Sequence, residues 1–147
     1  MVTIDDMFEL AIELRDQGEL RDSIKVFSKL LNDYPSDKKR YAVYIALGGI
    51  YSDLREYEKS LASLKKASDL TPKYELASLG MYLAYVKLDR DEEAIEELIK
   101  YLKQYPARLY KDTLEELLQG LEEGYMINYK EEIKRLAKIN GVSSPDC

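Results

Sequence analysis

Three prolines frame the chain and restrict what it can fold into. Pro35, Pro72 and Pro106 stand 37 and 34 residues apart, and each follows an apolar run with helical spacing. A proline lacks the backbone N–H and its ring clashes with the preceding turn, so each should end one helix and open the turn to the next. Aligned on these prolines, three segments agree at the positions that two packed helices must bury. The middle one reads Tyr44, Leu47, Gly48 and Tyr51, then Ser60, Leu64 and Ala67. The first reads Met7, Leu10, Ala11 and Leu14, with Gly18 ending the helix, then Ser23, Phe27 and Leu30. The third reads Ser78, Met81, Tyr82 and Tyr85, then Ala94, Leu98 and Tyr101. Residues three and four apart share a helix face, so Leu47, Tyr51 and Leu54 form one stripe and Ser60, Leu64 and Ala67 the facing one. Small residues at Ala11, Gly48, Ser23 and Ser60 let the two backbones approach closely.

This spacing resembles the tetratricopeptide repeat family, whose unit is a helix-turn-helix of about 34 residues. The resemblance runs from residue 4 to residue 108. It implies an all-α fold, a right-handed α-solenoid (superhelix) of antiparallel helical hairpins with about eight helices. The expected single domain, 1–147, holds repeats at 4–37, 41–74 and 75–108. Two departures stand out. The link before the second repeat carries three extra residues around Lys38 to Arg40, which should lengthen the following helix. The third repeat places Tyr82 where a small residue is expected and Tyr101 where alanine sits in the second, so its helices should stand further apart.

Beyond Arg108 helical periodicity continues without the repeat. Tyr110, Leu114, Leu117, Leu118 and Leu121 form one stripe ending near Gly124, and Met126, Tyr129, Ile133, Leu136 and Ala137 form another. Asn128 with Glu131 three residues on reads as a capping box, and Gly141 as a stop. These helices, 109–141, should cover the open end of the stack, because a terminal repeat would otherwise expose its apolar face. A polar tail, 142–147, ends in Cys147, the single cysteine, read as an inert surface thiol.

Chemistry is sparse. The chain has no histidine, which removes the commonest general base, the Ser-His and Cys-His pairs and histidine metal ligation together. Phosphate-binding glycine loops and calcium-loop patterns are absent. The carboxylate pairs Glu92-Glu93, Glu96-Glu97, Glu115-Glu116, Glu122-Glu123 and Glu131-Glu132 are neighbours in sequence, about 100 degrees apart on a helix, and read as solvated faces. No catalytic residue, no metal and no cofactor is expected, and the chain reads as a non-enzyme. Its net charge of -6 disfavours nucleic acid and anionic membranes, and most of the 13 tyrosines fall in packing registers. No apolar run approaches the ~20 residues that span a bilayer, and the start, MVTIDDMFEL, lacks a secretory pattern, so a cytoplasmic location is expected.

The resemblance also implies where a partner would bind, since in that family the first helix of each hairpin lines a concave ligand face. The matching positions are Phe8, Ile12, Arg15 and Asp16 in the first repeat, and Ile45, Gly49, Ser52 and Asp53 in the second. Leu79, Leu83, Val86 and Lys87 follow in the third, and Asp5 and Glu9 add acid at the amino-terminal end. Family members that grip acidic chaperone tails use lysine, asparagine and arginine in these registers. Phe8, Ile12, Ala46, Gly49, Leu76 and Gly80 stand there instead. The expected partner is therefore another protein or peptide with apolar and basic character. The terminal helices or a second copy of the chain covering the same face is the competing expectation. Two roles fit such a module: a small acidic immunity or inhibitor protein that occupies a basic toxin, and a secretion-type chaperone.

Overall fold

A computed structural model describes residues 2–144, and Cys147 lies outside them. The described residues contain eight α-helices and no strand: α1 (Ile4–Asp16), α2 (Leu20–Asp33), α3 (Arg40–Asp53), α4 (Tyr57–Leu70), α5 (Glu75–Lys87), α6 (Asp91–Leu102), α7 (Tyr110–Glu122) and α8 (Lys130–Ile139). Consecutive helices pack in pairs, α1 with α2, α3 with α4, α5 with α6 and α7 with α8, the arrangement of an α-solenoid. The chain divides into two compact units, Met1–Pro72 and Lys73–Cys147.

In the first unit Phe27, Leu30, Val43 and Ile50 are fully buried, with Leu47, Leu61 and Leu64 beside them. One polar contact recurs in both hairpins. The Ser23 hydroxyl donates to the Ala11 carbonyl at 2.6 Å, and the Ser60 hydroxyl donates to the Gly48 carbonyl at 2.7 Å. Serine is thus present for more than its size, because a buried hydroxyl needs a partner and here finds one on the facing backbone. Gly48 is held to its lack of a side chain, since a Cβ there would sit 2.6 Å from Leu64 Cγ. Its neighbour Gly49 has nothing within 4 Å of the same added atom. Two adjacent substitutions should therefore act in opposite directions. Gly49→Ala is expected to raise stability by about 1 kcal/mol through helix propensity. Gly48→Ala gains the same propensity but overpacks by roughly 1 to 3 kcal/mol, so its thermal midpoint should lie below that of Gly49→Ala.

Three sequence expectations need correction. Leu10 occupies the register that Leu47 fills, yet it is 47% exposed against 4%. Helix α3 packs on both α2 and α4, whereas α1 packs mainly on α2. Asn128 is not an N-cap: it lies in a 3-10 turn, Ile127–Tyr129, that runs into α8, whose N-cap Tyr129 makes no side-chain capping bond. The capping box is at the other end of the chain, where Thr3 accepts from the Asp6 N–H and the Asp6 carboxylate accepts from the Thr3 N–H. Of the three extra link residues only Arg40 joins α3, while Lys38 and Lys39 form a turn.

The second unit buries Ile95, Leu98, Tyr110, Leu114 and Ile133 completely. Helix α8 packs against α6 as well as α7. Gly141, in the left-handed region at φ 69°, ends α8 as read from the sequence, and the Val142 N–H reaches back to the Ala137 carbonyl at 2.8 Å. The tyrosines at the two departing positions pack on a third. Tyr82 and Tyr101 are both buried, with ring centroids 6.1 and 5.7 Å from that of Tyr110. Tyr110 enters from the start of α7 and shares a 2.7 Å hydrogen bond with Ser78, whose hydroxyl also lies 2.6 Å from Glu97.

Burial pushes the Tyr82 phenol up to about 12, with Glu116 and Asp91 adding to the shift, and burial also raises Tyr110 despite its bond to Ser78. A phenol raised in the folded state above its ordinary value near 10 contributes stability that is intact below that pH. The contribution is lost as pH rises through about 12 for Tyr82. In an alkaline titration, a late fraction of phenolate absorbance should therefore appear together with the loss of helical circular dichroism.

Candidate binding faces on the first helices

Helices α2, α4 and α6 carry charge along their outer sides, as in Lys25 and Lys29, Lys65 and Lys66, or Glu92 and Glu96. Helices α3 and α5 differ, being apolar almost all the way round, RYAVYIALGGIYSD and ELASLGMYLAYVK. A helix of that kind normally has neighbours on every side. Here α5 leaves Leu76 and Leu83 exposed, whereas the apolar residues on the outward side of α3, Ile45 among them, are half-buried.

The fourteen residues singled out from the sequence fall on these helices and on α1, and none of them is fully buried. In the first unit Phe8, Ile12, Arg15 and Ile45 are half-buried, while Asp5, Glu9, Asp16, Gly49, Ser52 and Asp53 are exposed. In the second unit Leu79 and Val86 are half-buried, Lys87 is exposed, and Leu83 is 52% exposed at the middle of α5. The open surface of α5 is thus mainly aliphatic. That of α1 is mixed, with Phe8 edge-on to Phe27 at 5.5 Å beneath a row of acids.

The acids of α1 already have cationic neighbours. Lys39, from the turn before α3, pairs with Asp5, and its ammonium stands 5.8 Å from the centre of the Phe8 ring. Its hydrogen bond to Asp5 holds its pKa above the usual lysine range, with Asp37 and Glu9 adding to the effect. Arg15 pairs with Asp16 at 3.1 Å. Sequence reasoning found the acids and the ring but missed the lysine, although the three-residue insertion that supplies it was visible. The side chains of both pairs are open to solvent, where water and salt screen such pairs and leave them little net contribution.

Among the described residues no group of three or more His, Cys, Asp or Glu side chains is placed to hold a metal ion, and no helix is long and apolar enough to cross a membrane. The helix pairs define an α-solenoid of helical hairpins. Residues 41–74 match the family model described as Tetratricopeptide repeat, so α3 and α4 with their turns are a repeat of the tetratricopeptide family. Repeats of that family serve as protein–protein interaction modules. No curated protein matches the chain.

Proposed function

We propose that the chain is a non-catalytic module that binds partner polypeptide through the first-helix faces of each unit, those of α1 and α3 in the first unit and that of α5 in the second. The observation that carries this reading is the apolar outward side of α5, where Leu83 is exposed between half-buried Leu79 and Val86, with half-buried Ile45 and exposed Gly49 on α3 as its counterpart. Exposed apolar surface of this kind marks a partner site. Asp5, paired now with Lys39, and the nearby Glu9 give the first repeat a place for a basic side chain next to Phe8. The partner is a protein or peptide segment with apolar and basic residues. A cytoplasmic setting belongs to the same proposal.

The net charge of -6 favours one role in particular, a small acidic inhibitor or immunity protein that acts by occupying a basic toxin. A secretion-type chaperone is the alternative. Salt separates them: association steered by charge weakens between low and physiological ionic strength, whereas capture of an apolar segment does not.

The faces are tested by native-state binding of a hydrophobic dye to the wild type and to Phe8→Asp, Ile45→Asp and Leu83→Asp variants that keep helical circular dichroism. The wild type should bind the dye as a monomer and each variant should bind less. A monomer that binds no dye defeats the reading. A dimer by light scattering, dissociated by the same variants, would assign these faces to self-association.

A further inference from the structure

The second unit also contains a cleft of about 530 Å³ at the amino-terminal end of α5, lined by Lys73 to Leu76 on one side and by Tyr101, Tyr105, Pro106, Arg108 and Leu109 on the other. Its floor and walls are apolar and aromatic, with Leu76 45% and Leu109 48% exposed. Tyr101 is fixed in place by donating its hydroxyl to the Lys73 carbonyl at 3.0 Å. The volume lies within the roughly 300 to 1,000 Å³ of ligand pockets.

Charge decides what the cleft can hold. Lys73 and Arg108 stand at its rim, both exposed, and neither makes an ion pair among the described residues. One carboxylate lines the cleft, that of Glu75, and its oxygens accept the backbone N–H groups of Arg108, Leu109 and Tyr110 at 2.9 to 3.2 Å. Those donors begin α7, so the positive end of the helix offsets the Glu75 charge. Two uncommitted cations around an apolar slot remain.

From this juxtaposition we infer that the cleft binds an acidic peptide segment in which a bulky apolar or aromatic side chain is flanked by carboxylates. The side chain fills the slot between Leu76, Tyr105 and Leu109, and the flanking carboxylates meet Lys73 and Arg108. The required partner is opposite in charge to the one proposed for α1, so this site stands whether or not that proposal does.

Fluorescence anisotropy with a labelled nonapeptide, Gly-Ser-Asp-Asp-Phe-Asp-Asp-Ser-Gly, tests it on the full chain. The acidic peptide should bind, and counterparts with lysine for aspartate or alanine for phenylalanine should bind at least about tenfold more weakly. The Lys73→Glu/Arg108→Glu double variant should lose the acidic peptide by at least about tenfold. Because Arg108 contributes to the Glu75 contact through its backbone alone, helix content should be unchanged. Lys73→Gln/Arg108→Gln provides the same test, with a smaller loss, should the charge reversal fail to fold. No binding of the acidic peptide at millimolar protein, equal binding of the lysine peptide, or full binding by the variants overturns the inference. Displacement by millimolar inorganic phosphate as effective as by unlabelled peptide also overturns it, by showing a general anion site.

Discussion

Replacing Glu75 with alanine is expected to lower stability by about 2 to 3 kcal/mol, an effect far beyond that of an ordinary half-exposed glutamate. Helix α7 begins at Tyr110, after Arg108 and an N-cap, Leu109, that makes no side-chain capping bond. The first N–H groups of any helix lack partners within it. Glu75 supplies them from 33 to 35 residues away, accepting from three consecutive amides with one carboxylate. Its negative charge also complements the helix dipole. Alanine removes both contributions, whereas Glu75→Gln keeps an acceptor oxygen and should lose about half as much. Two measurements check this: the urea midpoint of each variant, and hydrogen exchange at Arg108, Leu109 and Tyr110, which should accelerate selectively in Glu75→Ala. Unaltered protection of those amides would refute the assignment.

Leu47→Ala should cost about 2 to 5 kcal/mol, while Leu10→Ala, its counterpart in the repeat, should stay within about 0.5 kcal/mol. Leu47 is 4% exposed on a helix packed by both α2 and α4, so its truncation leaves a cavity. Leu10 is 47% exposed, so its truncation removes few contacts. Chemical denaturation of the two variants side by side reads the difference directly. Similar losses would mean that Leu10 is covered in solution, which points to self-association through α1.

The comparison of Leu10 with Leu47 shows what the sequence could and could not convey. Spacing within a segment made the helix pairs legible, because burial on one face of a helix repeats every three or four residues whatever lies outside. Which copies of a register are covered depends on the neighbouring element, and that is not written in the register. Local signals fared in the same way. Gly141 marked its helix end because a left-handed residue acts within one turn. Asn128 and Glu131 had the spacing of a capping box, but the chain there continues through a 3-10 turn and α8 starts later.

Contacts between distant residues were out of reach. Nothing near Glu75 or Arg108 announces that one caps the other's helix, apart from the lack of a capping side chain before Tyr110. Lys39 over Phe8 is a similar case. The acids at Asp5 and Glu9 were recognised as the charge of the first face, but their occupation by a lysine from the next link depends on the path of a turn. The serines at 23 and 60 were read as small, and smallness alone explains the approach of two backbones. Their recurrence twelve residues after Ala11 and Gly48 was the available hint of a shared acceptor.

Because Ser23 and Ser60 each tie the second helix of a hairpin to a main-chain carbonyl of the first, neither hairpin of the first unit can slip lengthwise by a residue. Such a slip would strand a buried hydroxyl at about 1 to 3 kcal/mol, before counting any loss of packing. Each pair is therefore a ratchet with its pawl engaged. Any bending of the first unit should therefore come from the link at residues 34–39, where the chain is neither helical nor buried, with the hairpins moving as stiff levers on either side.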